Sequence, residues 1–232
     1  MTVKELSVFF PAYNEEENIE HTVTKAIEVL EKVAKKWEII VVNDGSTDKT
    51  KEIVEKLIEK EPRIKMITHT PNRGYGAAFK SGLYNAQYKL IAFTDADGQF
   101  DFTEIEKFLE EIKEVDIVAG YRIKRQDSLL RVVNARLWEI LMRVLFGLKI
   151  KDPDCGFKLI KKEVIDKIGL LSTESAVTEP EFLIRAQRAG FKIRQIGISH
   201  FPRKEGKQTG ANLKVITKAL RQSGELWIGL RK

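Results

Sequence analysis

The chain has one cysteine, Cys155, among its 232 residues. That excludes a disulfide framework and a multi-cysteine metal site, and it suits a reducing compartment. No apolar run approaches the roughly 18–20 residues that cross a bilayer, and no signal-peptide pattern follows Met1. Ser/Gly/Pro-rich linkers and internal repeats are also missing, so one domain is expected over residues 1–210, with an amphipathic helical tail over 211–232. What is present is a globular balance, with 43% hydrophobic and 32% charged residues, which excludes a disordered chain. The net charge of +6 suits an anionic ligand or a membrane surface, and a solvated Lys/Glu-rich surface accounts for it as well. Nucleic acid is not an expected partner, because the basic residues are not interleaved with aromatic stacking platforms.

The first half alternates between two periods. LSVFF (6–10), EIIVV (38–42), IKMIT (64–68), KLIAF (89–93) and DIVAG (116–120) read as buried strands. Between them, apolar residues recur at steps of three and four, as in Ile19, Val23, Ile27, Leu30 and Val33. Thr47 or Asp48 is expected to cap the second helix, and Thr103 with Glu106 the fourth. The second half is less regular. It offers a long helical pattern over 128–147, a turn at DPDCGF (152–157), a helix from Pro180 to Gly190, an alternating strand near 191–201, a basic loop at 200–210 and a helix over 212–230. Strands alternating with helices predict an α/β fold, a mostly parallel twisted sheet with helices on both faces.

In such a sheet, ligands collect outside the carboxyl ends of the strands. Four polar segments fall there: PAYNEE (11–16), NDGSTD (43–48), TPNRGYGAA (70–78) and TDADGQ (94–99). Each alone is ordinary turn chemistry, but four on one rim make a site. Asp95 and Asp97 repel unless something positive neutralises them. A hard divalent cation such as Mg²⁺ or Mn²⁺ does so through oxygen ligands. Gln99 adds a neutral oxygen, and Gly98 permits a sharp turn. An EF-hand is excluded because Phe100 stands where its glycine belongs, and a dinucleotide fingerprint because Phe79 replaces its third glycine.

FPAYNEEENI, VVNDGSTDKT, NRGYGAAFKSG, FTDADGQF and DCGFK, in this order and spacing, resemble the family 2 glycosyltransferases. The similarity is to the branch that glycosylates dolichyl and polyprenyl phosphates, and it covers about residues 5–210. The resemblance implies a GT-A fold, a nucleotide-diphospho-sugar donor, Mg²⁺ or Mn²⁺, and inversion at the anomeric carbon. By matching motif, Pro11, Ala12, Tyr13 and Glu15 would frame the base and ribose, and Asp44, preceded by Val42, would contact the base. Asp95, Ala96, Asp97 and Gln99 would meet the donor, with Asp95, Asp97 and Gln99 holding the metal. Arg122 is expected near the phosphates, and Arg131 and Arg136 near an acceptor phosphate. The helix carrying those arginines departs from the branch, with Ala135 and Asn134 where a serine is common. Glu179 and Glu181 resemble an acidic pair that lines the sugar pocket or acts as base in relatives that glycosylate hydroxyls. His200, Arg203 and Lys207 lie on a loop expected to fold over the diphosphate.

These expectations describe a sugar transferase acting on a polyprenyl phosphate. It would work at the cytoplasmic face of a membrane, touching the lipid through residues 128–147 and Leu226, Trp227, Ile228 and Leu230. Two other readings stay open, transfer to a glycan or protein hydroxyl and a non-catalytic nucleotide-sugar binding module.

Overall fold

The computed structural model describes residues 2–124, 129–203 and 213–231. The chain runs β1 (Val3–Ala12), α1 (Ile19–Val33), β2 (Ala34–Asn43), α2 (Thr50–Lys60), β3 (Ile64–Thr68), α3 (Tyr75–Asn85), β4 (Leu90–Thr94), α4 (Ile105–Glu111) and β5 (Ile117–Arg122). It continues with α5 (Leu129–Phe146), β6 (Phe157–Lys161), α6 (Lys162–Ile168), α7 (Thr178–Arg188), β7 (Ile193–Ile198) and α8 (Leu213–Gly229).

The seven strands form one sheet in the order β3-β2-β1-β4-β6-β5-β7. Only β6 runs against its neighbours, so the expected mostly parallel sheet is present. Its strands alternate between two apolar layers. Val8 and Phe10 pack with α1, α2 and α4, whereas Phe9, Ile40 and Phe93 pack with α3 and α5 to α8. Both faces are therefore covered, which explains the near-continuous apolar runs.

The topology fixes where a site forms. From β1 the chain steps outward through β2 to β3, then returns to place β4 on the other side of β1. The crevice at the carboxyl ends of β1 and β4 is thus the switch point where α/β sheets bind ligands. The segments after β1 and β4 are PAYNEE and DADGQ.

Sequence periodicity missed β6. Its residues, FKLIK, interrupt an apolar run with two lysines, yet the strand sits between β4 and β5 in the middle of the sheet. Lys158 is 0% exposed there, which no hydropathy pattern anticipates. One cap also differs. The fourth helix opens through a 3₁₀ turn at Phe102–Glu104 and is capped by Asp101, whose carboxylate accepts from the Thr103 amide and hydroxyl. Thr103 and Glu106 do not form the expected box. Asp48 does serve the second helix, accepting from the Thr50 amide and hydroxyl.

Two glycines shape the crevice. Gly98 takes φ +71°, a left-handed conformation that glycine adopts without a Cβ clash. Gly156, just before β6, lies so close to Asp95 that a Cβ there would sit 2.1 Å from Oδ2. Gly156→Ala should therefore push the Asp95 carboxylate aside and cost about 1–3 kcal/mol, the usual range for overpacking. Urea denaturation reads this directly, and an unchanged midpoint would contradict the packing described.

Candidate functional site

The loops after β1, β2 and β3 hold one another in place. Asn14 accepts from the Thr47 amide, and the Asn14 amide donates to Ser46. Asp44 gathers the segment after β3. Its carboxylate accepts from the amides of Arg73 (3.0 Å) and Gly74 (2.7 Å), and it lies 2.6 Å from His69 Nδ1. The Asn72 side chain donates to the Asp44 carbonyl. Asp44 thus organises the rim as well as facing the cavity. His69 was not foreseen as its partner.

The acid pair follows β4. Asp95 is deeply buried, and its carboxyl is pushed well above the ordinary range by burial first, then by the charges of Asp97 and Glu179. Burial also raises Asp97, opposed by the Gln99 amide and by Arg203. Arg203 bridges Glu15 (2.7 Å) and Asp97 (3.3 Å). Gln99 donates its side-chain amide to the Phe201 carbonyl, and the Phe201 amide returns a bond to the Gln99 carbonyl.

Behind Asp95 lies a network that sequence reasoning missed. Lys158 Nζ lies 2.5 Å from Glu179 Oε2 and donates to the Cys155 carbonyl at 2.6 Å. Glu179 Oε1 lies 2.7 Å from the Tyr75 hydroxyl, which is 3.1 Å from Asp95 Oδ1. Tyr75 stood inside the quoted GYGAA segment and Lys158 inside DCGFK, so the residues were visible but their pairing across the sheet was not.

Glu179 and Glu181 do not face the same surroundings. They lie two residues apart near the start of a helix, and such neighbours point to different faces. Glu179 lines the cavity. Glu181 turns inward and accepts from the amides and hydroxyls of Ser172 and Thr173, with Arg185 beside it. Burial raises its carboxyl, but these donors outweigh burial and hold it below the usual range. It is a brace for the loop before α7.

The cavity has a volume of about 810 Å³. Of the expected donor-binding residues, Pro11, Ala12, Tyr13, Glu15, Asp44, Asp95, Ala96, Asp97, Gln99, Arg122 and Glu179 line it together, as does His200. Val42 does not, because its side chain is buried in the core beneath. Arg122 forms a bidentate ion pair with Asp152, at 2.7 and 2.5 Å. Arg136 is exposed and pairs weakly with Glu139 at 3.3 Å. The Arg131 side chain and Lys207 lie outside the described residues. The far wall is apolar, with Leu137, Trp138 and Leu141 from α5 and Ile216, Ala219 and Leu220 from α8.

The oxygens of Asp95, Asp97 and Gln99 fit a hard cation, and the crowding of buried carboxyls calls for one. Among the described residues no three His, Cys, Asp or Glu side chains are grouped to hold a metal alone. A cation here needs oxygens from a ligand.

A mostly parallel sheet with acid residues at its switch point is the arrangement expected of a GT-A glycosyltransferase. The family model for Glycosyl transferase family 2 matches residues 7–169. The chain belongs to that family. A dolichyl-phosphate beta-glucosyltransferase from Saccharomyces cerevisiae is 32% identical over 220 residues, covering 84% of this chain and 66% of that protein. Another, from Dictyostelium discoideum, is 35% identical, with 84% and 65% covered. A dodecaprenyl-phosphate galacturonate synthase from Rhizobium johnstonii is 29% identical, with 87% and 60% covered. The chain therefore spans about two thirds or less of the length of these relatives. Glucosyl-3-phosphoglycerate synthase from Mycobacterium tuberculosis, solved with Mn²⁺, UDP and glucosyl-3-phosphoglycerate, aligns with a TM-score of 0.68 at 22% identity, covering 95% of this chain and 80% of that one. At that identity the likeness establishes the fold.

Two stability predictions arise from these carboxylates. Glu181→Gln should lower stability by about 1–3 kcal/mol while leaving nucleotide binding intact, as read by urea denaturation and calorimetric titration. Equal stability would contradict the bracing role. Asp154 behaves oppositely. Its carboxyl is pushed up to about 7 by burial, Glu179 and Asp152, against the pull of Lys158 and Arg122. A raised carboxyl leaves stability full below the unfolded value and erodes it as pH rises toward 7. Asp154→Asn should thus stabilise the protein at pH 8, by about 1–4 kcal/mol, and much less at pH 4. The same gain at both pH values would contradict the charge argument.

Proposed function

We propose that the chain transfers a sugar from a nucleotide-diphospho-sugar to a polyprenyl phosphate, with inversion and with Mg²⁺ or Mn²⁺. The observation that carries this reading is the cavity's polarity. It begins at the polar rim of Tyr13, Glu15 and Asp44, passes Asp95 and Asp97, and ends on the apolar wall of α5 and α8. A nucleotide diphosphate suits the first part and a lipid chain the last. The names of the curated relatives, with dolichyl and dodecaprenyl phosphate in them, support the same acceptor class.

In this reading Pro11 to Glu15 and Asp44 receive the nucleoside. Asp95, Asp97 and Gln99 would hold a divalent cation, which would supply charge neutralisation at the departing diphosphate. An oxygen of the acceptor phosphate attacks the anomeric carbon, and the bond to the donor diphosphate breaks with its electron pair. The nucleoside diphosphate is the leaving group. The attacking phosphate is already an anion near neutral pH and needs no base. The geometry agrees, because both oxygens of Glu179 are engaged, one by Lys158 and one by Tyr75. Transfer to a hydroxyl would add a third donor to a carboxylate that already accepts from Lys158 and Tyr75.

Membrane contact belongs to the same proposal, with a change of emphasis. Among the described residues no helix is long and apolar enough to cross a membrane. The C-terminal residues first assigned to lipid mostly pack inward: Leu226 is buried, and Trp227 and Leu230 are partly buried against the core. On α5, by contrast, Val133, Leu137, Ile140 and Val144 are exposed. Their spacing places them on one helix face. Leu137 also lines the cavity, as do the exposed Ile216 and Leu220 of α8. An apolar surface continuous with the cavity suits an acceptor that enters from lipid, as interfacial helices allow.

Transfer assays with UDP-glucose and GDP-mannose, each with Mn²⁺ and dolichyl phosphate in vesicles, test the function. One donor should yield a lipid-linked sugar, and Asp97→Asn should abolish it without unfolding the protein. Transfer only to hydroxyl acceptors, or full activity of Asp97→Asn, would contradict the proposal. Val144→Glu together with Ile140→Glu should weaken co-sedimentation with vesicles while preserving nucleotide binding. Undiminished sedimentation would remove α5 as the contact.

A further inference from the structure

Five buried side-chain polar atoms have no hydrogen-bond partner among the described residues: Trp37 Nε1, Thr94 Oγ1, Trp138 Nε1, Asp154 Oδ1 and Gln222 Oε1. Such atoms are uncommon because each forfeits its water without a replacement. Trp37, Thr94 and Gln222 do not line the cavity, whereas Trp138 and Asp154 both do. One is a donor only and the other is chiefly an acceptor. They come from separate segments, Trp138 from α5 and Asp154 from the turn before β6. The transfer chemistry above gives Asp154 no part, and Trp138 enters it only through the apolar wall of α5, not through its indole N–H.

The charges around Asp154 narrow the ligand class. Glu179 and Asp152 repel it, and Lys158 and Arg122 attract it. Lys158 is engaged by Glu179, and Arg122 is held in a bidentate pair by Asp152. A further anion entering here would meet three carboxyl groups with their cations already engaged. A polyhydroxylated neutral group has what the two open atoms lack, a hydroxyl proton for Asp154 and an oxygen for Trp138.

We propose that Asp154 and Trp138 form the grip of a hexose subsite, Asp154 accepting from one sugar hydroxyl and Trp138 Nε1 donating to another sugar oxygen. The sugar is that of the donor, so the inference rests on the nucleotide-sugar reading above and assigns specificity-determining residues to it. It also accounts for a residue that costs stability. The carboxyl of Asp154, at about 7, bonds to a hydroxyl in either protonation state, whereas a purely structural aspartate without a partner gives the fold nothing.

Calorimetric titration of the full chain with Mn²⁺ tests this, comparing UDP with UDP-glucose and GDP with GDP-mannose. The variants are Asp154→Ala, which removes the acceptor, and Trp138→Phe, which keeps most of the ring and removes Nε1. Each should bind the nucleoside diphosphate within about twofold of the parent and lose about tenfold or more in affinity for the matching nucleotide-sugar, the worth of one hydrogen bond to a ligand. Equal losses for nucleotide and nucleotide-sugar, or no loss for either, would overturn the subsite while leaving the donor reading intact. Unchanged nucleotide-sugar affinity with reduced transfer to dolichyl phosphate would also overturn it, because the grip would then belong to the acceptor. A parent protein that binds none of the four compounds would overturn the donor reading and the subsite with it.

Discussion

The buried ion pair between Lys158 and Glu179 is the interaction on which the rest of the site depends. Lys158 is 0% exposed in the middle of the sheet, where an uncompensated ammonium is very costly. Glu179 Oε2 compensates it, and Oε1 meets the Tyr75 hydroxyl, which reaches Asp95. Four elements are joined in this way: β6, α7, α3 and the end of β4. The antiparallel β6 is what brings the lysine there, since its neighbours β4 and β5 are parallel strands of the regular alternation. Removing either charge leaves the other buried alone, so the pair sets the position of Asp95 from behind while Gly156 leaves it room in front.

From that anchor the cavity changes character along its length. Near β1 and β4 the carboxyls of Glu15, Asp95 and Asp97 crowd together, and burial drives all three above their ordinary range. Arg203 bridges Glu15 and Asp97, which partly offsets that crowding and ties the segment after β7 to the rim. Towards α5 and α8 the wall becomes leucine, isoleucine and tryptophan. In the proposed reading, the acidic end meets a diphosphate with its cation and the apolar end meets a lipid chain. That change of lining along one cavity supports a lipid-phosphate acceptor more than either end does alone.

Much of the fold was legible in the sequence because β1, β2, β4 and β5 are buried over most of their length and so carry long apolar runs, whereas the edge strand β3 is only partly buried. The acid pair was legible because hydropathy cannot explain carboxylates directly after such a run. The rest failed for specific reasons. FKLIK hides a central strand behind two lysines whose partners lie far along the chain. Glu179 and Glu181 look equivalent in sequence, and only the packing of α7 turns one to the cavity and the other to Ser172 and Thr173. Asp154 stood inside DCGFK and Trp138 inside the helical pattern over 128–147, but nothing in the sequence paired them, since an unpaired buried atom is a property of three-dimensional surroundings.

The central claim is that the carboxylates at the switch point form a cation site that a nucleoside diphosphate completes. Titration of Mn²⁺ followed by electron paramagnetic resonance, with and without UDP or GDP, tests it most directly. The account predicts weak Mn²⁺ binding to the protein alone, much tighter binding with one of the nucleotides, and loss of that enhancement in Asp95→Asn. Equal Mn²⁺ affinity with and without nucleotide, or enhancement that survives Asp95→Asn, would contradict it.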